Sequence, residues 1–147
     1  IEISIEIENM DNALAALASV GPRLDDIGDS IGALVESQTT RRIQSEKTAP
    51  DGSAWPAWST GYASMRGSGK SLLQSDGGLL NSIAFDTDGD DILVGSDLVY
   101  AAIHQFGGTP EMAAGPAAIP ARPMLGLSDD NEQEIVSVLN SVFGGLL

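Results

Sequence analysis

The chain has 147 residues, 42% of them hydrophobic, so it is long enough for one domain with a buried core and too apolar to be wholly disordered. Seven Lys+Arg against 21 Asp+Glu leave a formal net charge of -14 at pH 7, which opposes tight or sequence-specific binding to the phosphate backbone of nucleic acids. There is no cysteine, which excludes disulfides, thiolate metal sites and cysteine nucleophiles, and no apolar run of the ~18 residues that a membrane span needs.

The first stretch, "IEISIEIE" at 1–8, alternates isoleucine with polar residues. This period of two predicts a strand with one buried and one solvated face. Its glutamates also exclude the apolar centre of a signal peptide in this stretch. Asn9 is placed to cap a helix over 10–20, which Gly21-Pro22 ends.

A second helix is predicted from Leu24 to Ile43, with basic residues near its C-terminal end, where the helix dipole favours cations. The stretch 48–59 breaks this helix. Its Pro50-Asp51-Gly52 predicts a turn, because proline presets φ and glycine accepts a positive φ. The Gly/Ser-rich stretch 61–70 lacks the apolar residues needed to bury it and predicts a mobile loop.

The stretch 71–83 predicts a short helical turn or two, and "SIAFDTDGDDILVGS" at 82–96 predicts a β-hairpin. If Asp88-Gly89 forms a two-residue turn, Phe85 pairs with Ile92 and Ile83 with Val94, which gives a consistent apolar face.

The C-terminal third contains two helices separated by a loop. "LVYAAIHQFGG" at 98–108 predicts a short helix ended by glycine, and the Pro-rich stretch 109–123 predicts an irregular loop. Ser128 and the acids after it cap a final helix. The apolar face of that helix is predicted to comprise Ile135, Val138, Leu139 and Val142. The elements together predict a single α+β domain over 1–147, in which a small antiparallel sheet packs with N-terminal helices and a C-terminal helix.

Three stretches could be mistaken for ligand sites. "GSGKS" at 67–71 has Ser64 where a phosphate-binding loop needs glycine, and no strand precedes it. "DTDGDD" at 86–91 has Asp91 where a calcium loop needs glycine, and a hairpin turn explains it better. A basic patch to accompany "WPAW" at 55–58 is missing, so its tryptophans favour anchoring a loop on a core or on a neighbouring subunit.

His104 is the single histidine of the chain, so no multi-histidine metal site can form. It could serve as a catalytic base, but the sequence has no G-x-S-x-G motif around a nucleophile. Tyr100 precedes it by four residues and shares its helix face. A half-buried histidine hydrogen-bonded to backbone is the ordinary expectation, and we predict no catalytic residues, no cofactor and no metal.

Four stretches in this order resemble the phage virion morphogenesis family, the S-type tail completion proteins that also occur in Mu-like phages. They are "APDGSAWPAWS", "LLQSDGGLLNSI", "VGSDLVYAAIHQFGG" and "IPARPMLGLSDD", and they cover roughly residues 40–130. Met124 stands where the family often has a larger aromatic residue. The resemblance implies a structural, non-enzymatic protein of the virion neck or tail top, made in the host cytoplasm, that completes tails and joins them to heads. The histidine stretch then becomes an architectural motif, in which Tyr100, His104 and Phe106 fix the turn at Gly107-Gly108.

The resemblance also implies partners, because neck components commonly assemble as rings with heterologous interfaces. We expect copies of this chain in a ring, a hexamer being favoured, together with other neck, connector and tail proteins. Genome DNA would pass through without specific binding, and no membrane is involved. The residues predicted to contact a neighbouring subunit or partner are Trp55, Trp58, Tyr100, His104, Phe106, Ile119, Arg122, Met124 and Leu125.

Arg122 lies between two prolines in a strongly acidic chain, so we expect it to meet a carboxylate of its own or of the next subunit. Two rival functions remain open. One is an adaptor module that binds a partner peptide on an exposed sheet edge, and the other is a small hydrolase that uses His104.

Overall fold

The computed structural model describes residues 24–89 and 91–144. The predicted strand at 1–8 and helix at 10–20 lie outside the described residues. The first described helix, α1 (Leu24–Arg41), continues into a π-helical segment, Arg42–Glu46. The elements that follow are α2 (Thr60–Met65), α3 (Gly78–Ser82), β1 (Ile83–Asp88), β2 (Asp91–Ser96), α4 (Ala101–Phe106), α5 (Ala114–Ala117) and α6 (Asp129–Phe143).

The two strands form the predicted antiparallel hairpin, so the α+β class is confirmed. The predicted register is wrong by two residues, because Phe85 pairs with Val94 and Asp88 with Asp91. The turn therefore begins one residue later, at Gly89, whose φ of +61° suits the twist of a two-residue hairpin turn. Since side chains alternate with a period of two, the shift keeps the same residues on the apolar face.

Helix α1 packs across both strands and supplies the buried Ile27 and Ile31. The approach is close at Gly32, where an added Cβ would lie 2.8 Å from Cγ of Phe85. Glycine is therefore required at this position for steric reasons. A second buried cluster lies at the other end of α1 and comprises Ile43, Ala49, Trp55, Leu79, Ile83, Ala101 and Met124.

The C-terminal helix α6 is confirmed, with Ser128 at its N-cap. The Ser128 hydroxyl accepts a hydrogen bond from the backbone N–H of Asn131, and the Asn131 side chain accepts one from the backbone N–H of Ser128. This reciprocal pair stabilises the first turn of α6. The predicted turn at 50–52 is also confirmed, with Gly52 at a φ of +84°.

Two loop predictions were wrong in part. The stretch 61–70 begins as helix α2, because the Ser59 hydroxyl accepts a hydrogen bond from the backbone N–H of Tyr62 and caps it. The mobility of 66–70 stays a prediction. The stretch 109–123 contains the short helix α5, in which Pro116 lies in the first turn, where a backbone N–H has no intrahelical partner anyway. None of the helices within the described ranges has the length and apolarity to cross a membrane.

Candidate functional site

The segment 119–126, "IPARPMLG", is fastened between helix α4 and the "WPAW" stretch at 55–58. On the α4 side, the backbone N–H of Arg122 donates to the carbonyl of His104 over 2.7 Å. The Gln105 side chain accepts from the backbone N–H groups of Met124 and Leu125 over 2.9 and 3.0 Å. Motifs more than 60 residues apart in sequence thus form one rigid unit, which we call the clamp (55–58, 104–108 and 119–126).

Arg122 closes the clamp on the other side. Its side chain is buried, and it donates to the backbone carbonyls of Pro56 over 2.8 Å and Ala57 over 3.2 Å. Within the described residues it forms no ion pair, and backbone carbonyls stand in place of the predicted carboxylate. Backbone carbonyls of the extended "WPAW" stretch need donors once they are buried, and a guanidinium supplies several. Burial lowers the pKa of Arg122. A carboxylate from another subunit stays a prediction.

Two of the predicted contact residues lie in the core. Trp55 is 5% exposed, and its indole N–H donates to the carbonyl of Pro123 over 2.9 Å. Met124 is fully buried. Both side chains anchor the clamp on the core, so their surface is already covered within the chain. Leu125 and Ile119 are half-buried, and Leu125 packs against the core cluster.

His104 is half-buried and stands edge-on to Tyr100, with ring centroids 6.2 Å apart, as their four-residue spacing predicts. The expected hydrogen bond from its ring to the backbone was wrong. Its Nδ1 is buried and has no hydrogen-bond partner among the described residues. Burial, and then the charge of Arg122, lower the pKa of His104, which favours the neutral form of the ring. No catalytic partner hydrogen-bonds to this ring within the described ranges.

The turn after α4 depends on glycine rather than on aromatic packing. Gly107 has a φ of +81°, and a Cβ on Gly108 would lie 2.7 Å from Cα of Ala117. Phe106 is 80% exposed and cannot fix the turn by packing, so that interpretation was wrong. It presents its ring to solvent instead.

Beside the clamp lies an open groove of about 920 Å³ with aromatic and cationic walls. Helix α2 and the residue that follows it supply one wall. There, the Trp58 and Tyr62 rings meet edge to face with centroids 5.9 Å apart, and the guanidinium of Arg66 lies over both, 5.2 and 5.4 Å from their centroids. The residues that line the rest of the groove include Asp76, Tyr100, His104 and Arg122.

Asp76, the acidic residue of the groove, accepts a hydrogen bond from a neighbouring backbone N–H. The backbone N–H of Gly78 donates to Asp76 over 3.0 Å and lowers the pKa of its carboxyl, and the charges of Lys70 and Arg66 lower it further. Asp76 forms no ion pair within 4.0 Å in the described residues. The described residues also contain no cluster of His, Asp and Glu that could hold a metal ion.

Sequence reasoning missed the residue that joins α1 to the clamp. Arg42 is 1% exposed, and it donates to the carbonyls of Met124 and Gly126 and to the Asn131 side chain, over 2.8, 2.9 and 2.6 Å. Burial lowers its pKa. A signal was present, since Gln38 and Arg42 continue the i+3/i+4 spacing of the buried face of α1 beyond Ile31.

Comparison with known proteins gives a consistent result. A model of the phage virion morphogenesis family matches residues 5–144. The chain is 36% identical over 141 residues to the putative capsid assembly protein G of Escherichia phage Mu, covering 93% of this chain and 90% of that relative. It is 31% identical over 144 residues to the Mu-like prophage FluMu G protein 2 of Haemophilus influenzae, covering 96% of each.

No solved structure gives a significant match to the chain. The family model nonetheless spans almost the whole chain, and it includes every part of the clamp and the groove. The chain therefore belongs to the phage virion morphogenesis family.

Proposed function

We propose that this protein is a structural component of the phage neck or tail top, which completes the tail and joins it to the head as one subunit of an oligomeric ring. Family membership supports a role in phage virion assembly. The similarity to the putative capsid assembly protein G of Escherichia phage Mu also supports a role in particle construction.

The observation that carries the proposal is an uncovered apolar face on α4. Val99 is 96% exposed just before the helix, and Phe106 is 80% exposed at its end. Ala102 is also exposed and lies on the same face as Phe106, four residues away. Large apolar side chains grouped on one side of a rigid element are typical of a surface that a partner covers.

The clamp supports the proposal because it makes this face rigid before any partner arrives. The other side of α4 is tied to 119–126 by Gln105 and by the carbonyl of His104. A surface whose backbone is already ordered loses little conformational entropy on docking. Rigidity and apolar exposure on one helix suit a permanent assembly interface.

The charge suits a ring through which DNA passes. Each copy carries a net charge of -14, so a ring multiplies the negative field. Acidic walls repel phosphates, whereas basic walls would bind them with a salt-dependent affinity and slow the genome. Asp86, Asp88 and Asp91 at the hairpin end are exposed and contribute to the negative charge of the chain.

The experiment is a double substitution, Val99→Ser with Phe106→Ser, on the apolar face. We expect a folded protein whose native mass falls from an oligomer to a monomer, and phage lysates in which heads and tails accumulate without joining. The matched control is Val136→Ser, because Val136 is a 49% exposed apolar residue on helix α6. Joined, infectious particles from the double variant would contradict the proposal, as would a wild-type protein that stays monomeric by electron microscopy and native mass.

A further inference from the structure

Arg66 differs from the other basic residues of the described ranges in making no hydrogen bond with its side chain. Its Nε is buried and has no partner. The remaining cations donate to carbonyls or carboxylates, and they are Arg41, Arg42, Lys47, Lys70 and Arg122. A guanidinium that is partly shielded from water and has no acceptor leaves hydrogen-bonding capacity to be satisfied.

The position of this guanidinium is set by the aromatic wall of the groove. Arg66 lies over the rings of Trp58 and Tyr62, and cation–π attraction favours this arrangement. Its planar fork is thereby held in the groove before an acceptor binds, so less side-chain entropy is lost when one does. A carboxylate is the acceptor that matches the fork with two parallel hydrogen bonds.

Within the described part of the chain, the hairpin end carries two carboxylates without a cation partner, whereas the groove carries a cation without an acceptor. Asp88 and Asp91 are directly paired across the strands, both exposed. Like charges opposite each other in an antiparallel pair repel and destabilise it. No cation of the described residues forms an ion pair with either of them. A cation from outside the chain would relieve this repulsion.

The two features lie at opposite ends of the molecule. Gly28, near the start of α1, faces Thr87 of the hairpin, whereas Arg42, just beyond the end of α1, holds the clamp. The 18 residues of α1 span about 27 Å at ~1.5 Å per residue. One copy therefore cannot place its own hairpin end in its own groove.

We propose that the groove receives the acidic hairpin end of a second copy of this chain, with Arg66 binding Asp88 and Asp91 of that copy. The contact joins two different surfaces, so it is heterologous and repeats from copy to copy until a ring closes. The inference rests on the proposed ring and names the contact that builds it. It also explains how a chain with a net charge of -14 self-associates, since one of its few cations meets the acids of its neighbour.

The test uses two variants of the full chain. The groove variant is Arg66→Glu, and its matched control is Lys70→Glu, the same charge change on a nearby exposed side chain that donates to the Ser75 carbonyl. The hairpin variant is Asp88→Lys with Asp91→Lys, and its control is Asp97→Lys with Asp130→Lys, two other exposed acids. Circular dichroism verifies folding, and native mass with sedimentation measures assembly.

We expect each variant alone to lose self-association by on the order of 30-fold or more, while both controls assemble as the wild type does. An equimolar mixture of the two variants should recover assembly as alternating oligomers, because the intact groove of one variant binds the intact hairpin of the other and the reversed charges attract at the second contact. Combining both variants in one chain should restore assembly, since the reversed charges again attract.

Three results separate this inference from the proposed function. If the groove and hairpin variants form the same rings as the wild type, the proposed contact is wrong, but the proposed ring is not contradicted. Variants that are monomeric alone and form no complex with each other when mixed also overturn the contact. A wild-type chain that never assembles refutes the ring itself, and with it the contact.

Discussion

Arg42 is fully buried and Arg66 is half-buried, and the two arginines differ in the hydrogen bonds that their side chains form. Arg42 lies in the core and donates to two carbonyls and an amide oxygen, which ties α1 to the clamp and to the cap of α6. Arg66 lies over two aromatic rings and donates to no described residue. A cation whose acceptors lie within the same chain stabilises the fold. A cation without such acceptors is available to bind a partner.

The largest expected effect comes from Arg42→Met. The substitution keeps an unbranched side chain but leaves the carbonyls of Met124 and Gly126 without their donor and removes one of the two donors of the Asn131 amide oxygen. Each unsatisfied buried group costs ~1–3 kcal/mol, so we expect a loss of about 3 kcal/mol or more in the free energy of unfolding. Urea unfolding followed by tryptophan fluorescence measures it.

The control for this prediction is Arg41→Met. Arg41 pairs with Glu46 and Glu134 at 2.9 and 3.0 Å, but these side chains are 35% to 44% exposed. Exposed ion pairs contribute about 1 kcal/mol or less, so this variant should unfold almost as the wild type does. Equal losses in the two variants would contradict the structural role of Arg42.

The next effect is expected at Gly108, where the clamp touches the Pro-rich stretch. A Cβ there would collide with the carbonyl oxygen of Pro116 and lie 2.7 Å from Cα of Ala117. Since backbone rather than a flexible side chain must move, Gly108→Ala should cost about 2 kcal/mol in thermal or urea unfolding. The matched variant Gly61→Ala has open space around its Cβ and lies in helix α2, so it should be neutral or stabilising.

His104 should have a smaller effect on the free energy of unfolding, and this effect depends on pH. Its pKa in the folded chain lies below the ordinary value of 6.5 because of burial and the charge of Arg122. The unfolded chain therefore takes up a proton first, and the free energy of unfolding should fall as pH drops below about 6.5. His104→Gln should remove this slope. The half-buried Glu134, whose pKa is lowered chiefly by a hydrogen bond from Gln38, loses its contribution only at lower pH.

Unfolding curves of wild type and His104→Gln at several pH values between 7 and 5 measure the difference. An identical slope in both proteins would show that the ring does not titrate as its burial implies. The same variant tests the rival hydrolase. A folded, assembled His104→Gln protein that has lost a hydrolytic activity of the wild type would contradict the structural role.

The smallest effect on stability is expected for Arg66→Ala. This variant tests whether Arg66, unlike Arg42, contributes little to the stability of the fold. No hydrogen bond is lost, so the free energy of unfolding should change by about 0.5 kcal/mol or less. Self-association should nevertheless weaken, whereas Lys70→Ala should leave it unchanged. A large loss of stability in Arg66→Ala would assign Arg66 to the fold and remove the contrast with Arg42.

Much of the local structure was predictable from sequence, because it depends on neighbouring residues. The hairpin follows from alternating apolar residues around Gly89, and helix α6 follows from Ser128 and the periodic residues after it. The hairpin register was missed because two adjacent two-residue turns both satisfy the apolar alternation. The capped start of α2 at Ser59 was missed because the glycines and serines after it resemble a loop.

The sequence by itself determined the α+β class, the family and the segments that form the clamp, since periodicity, turn residues and motifs are local properties. Only the tertiary structure decided the partners of the cations. Arg122 donates to carbonyls 65 and 66 residues away, Arg42 reaches residues 82 to 89 positions later, and Arg66 meets no acceptor among the described residues. Spacing along the chain cannot reveal which buried oxygens lack a donor, because that depends on how distant segments pack and exclude water.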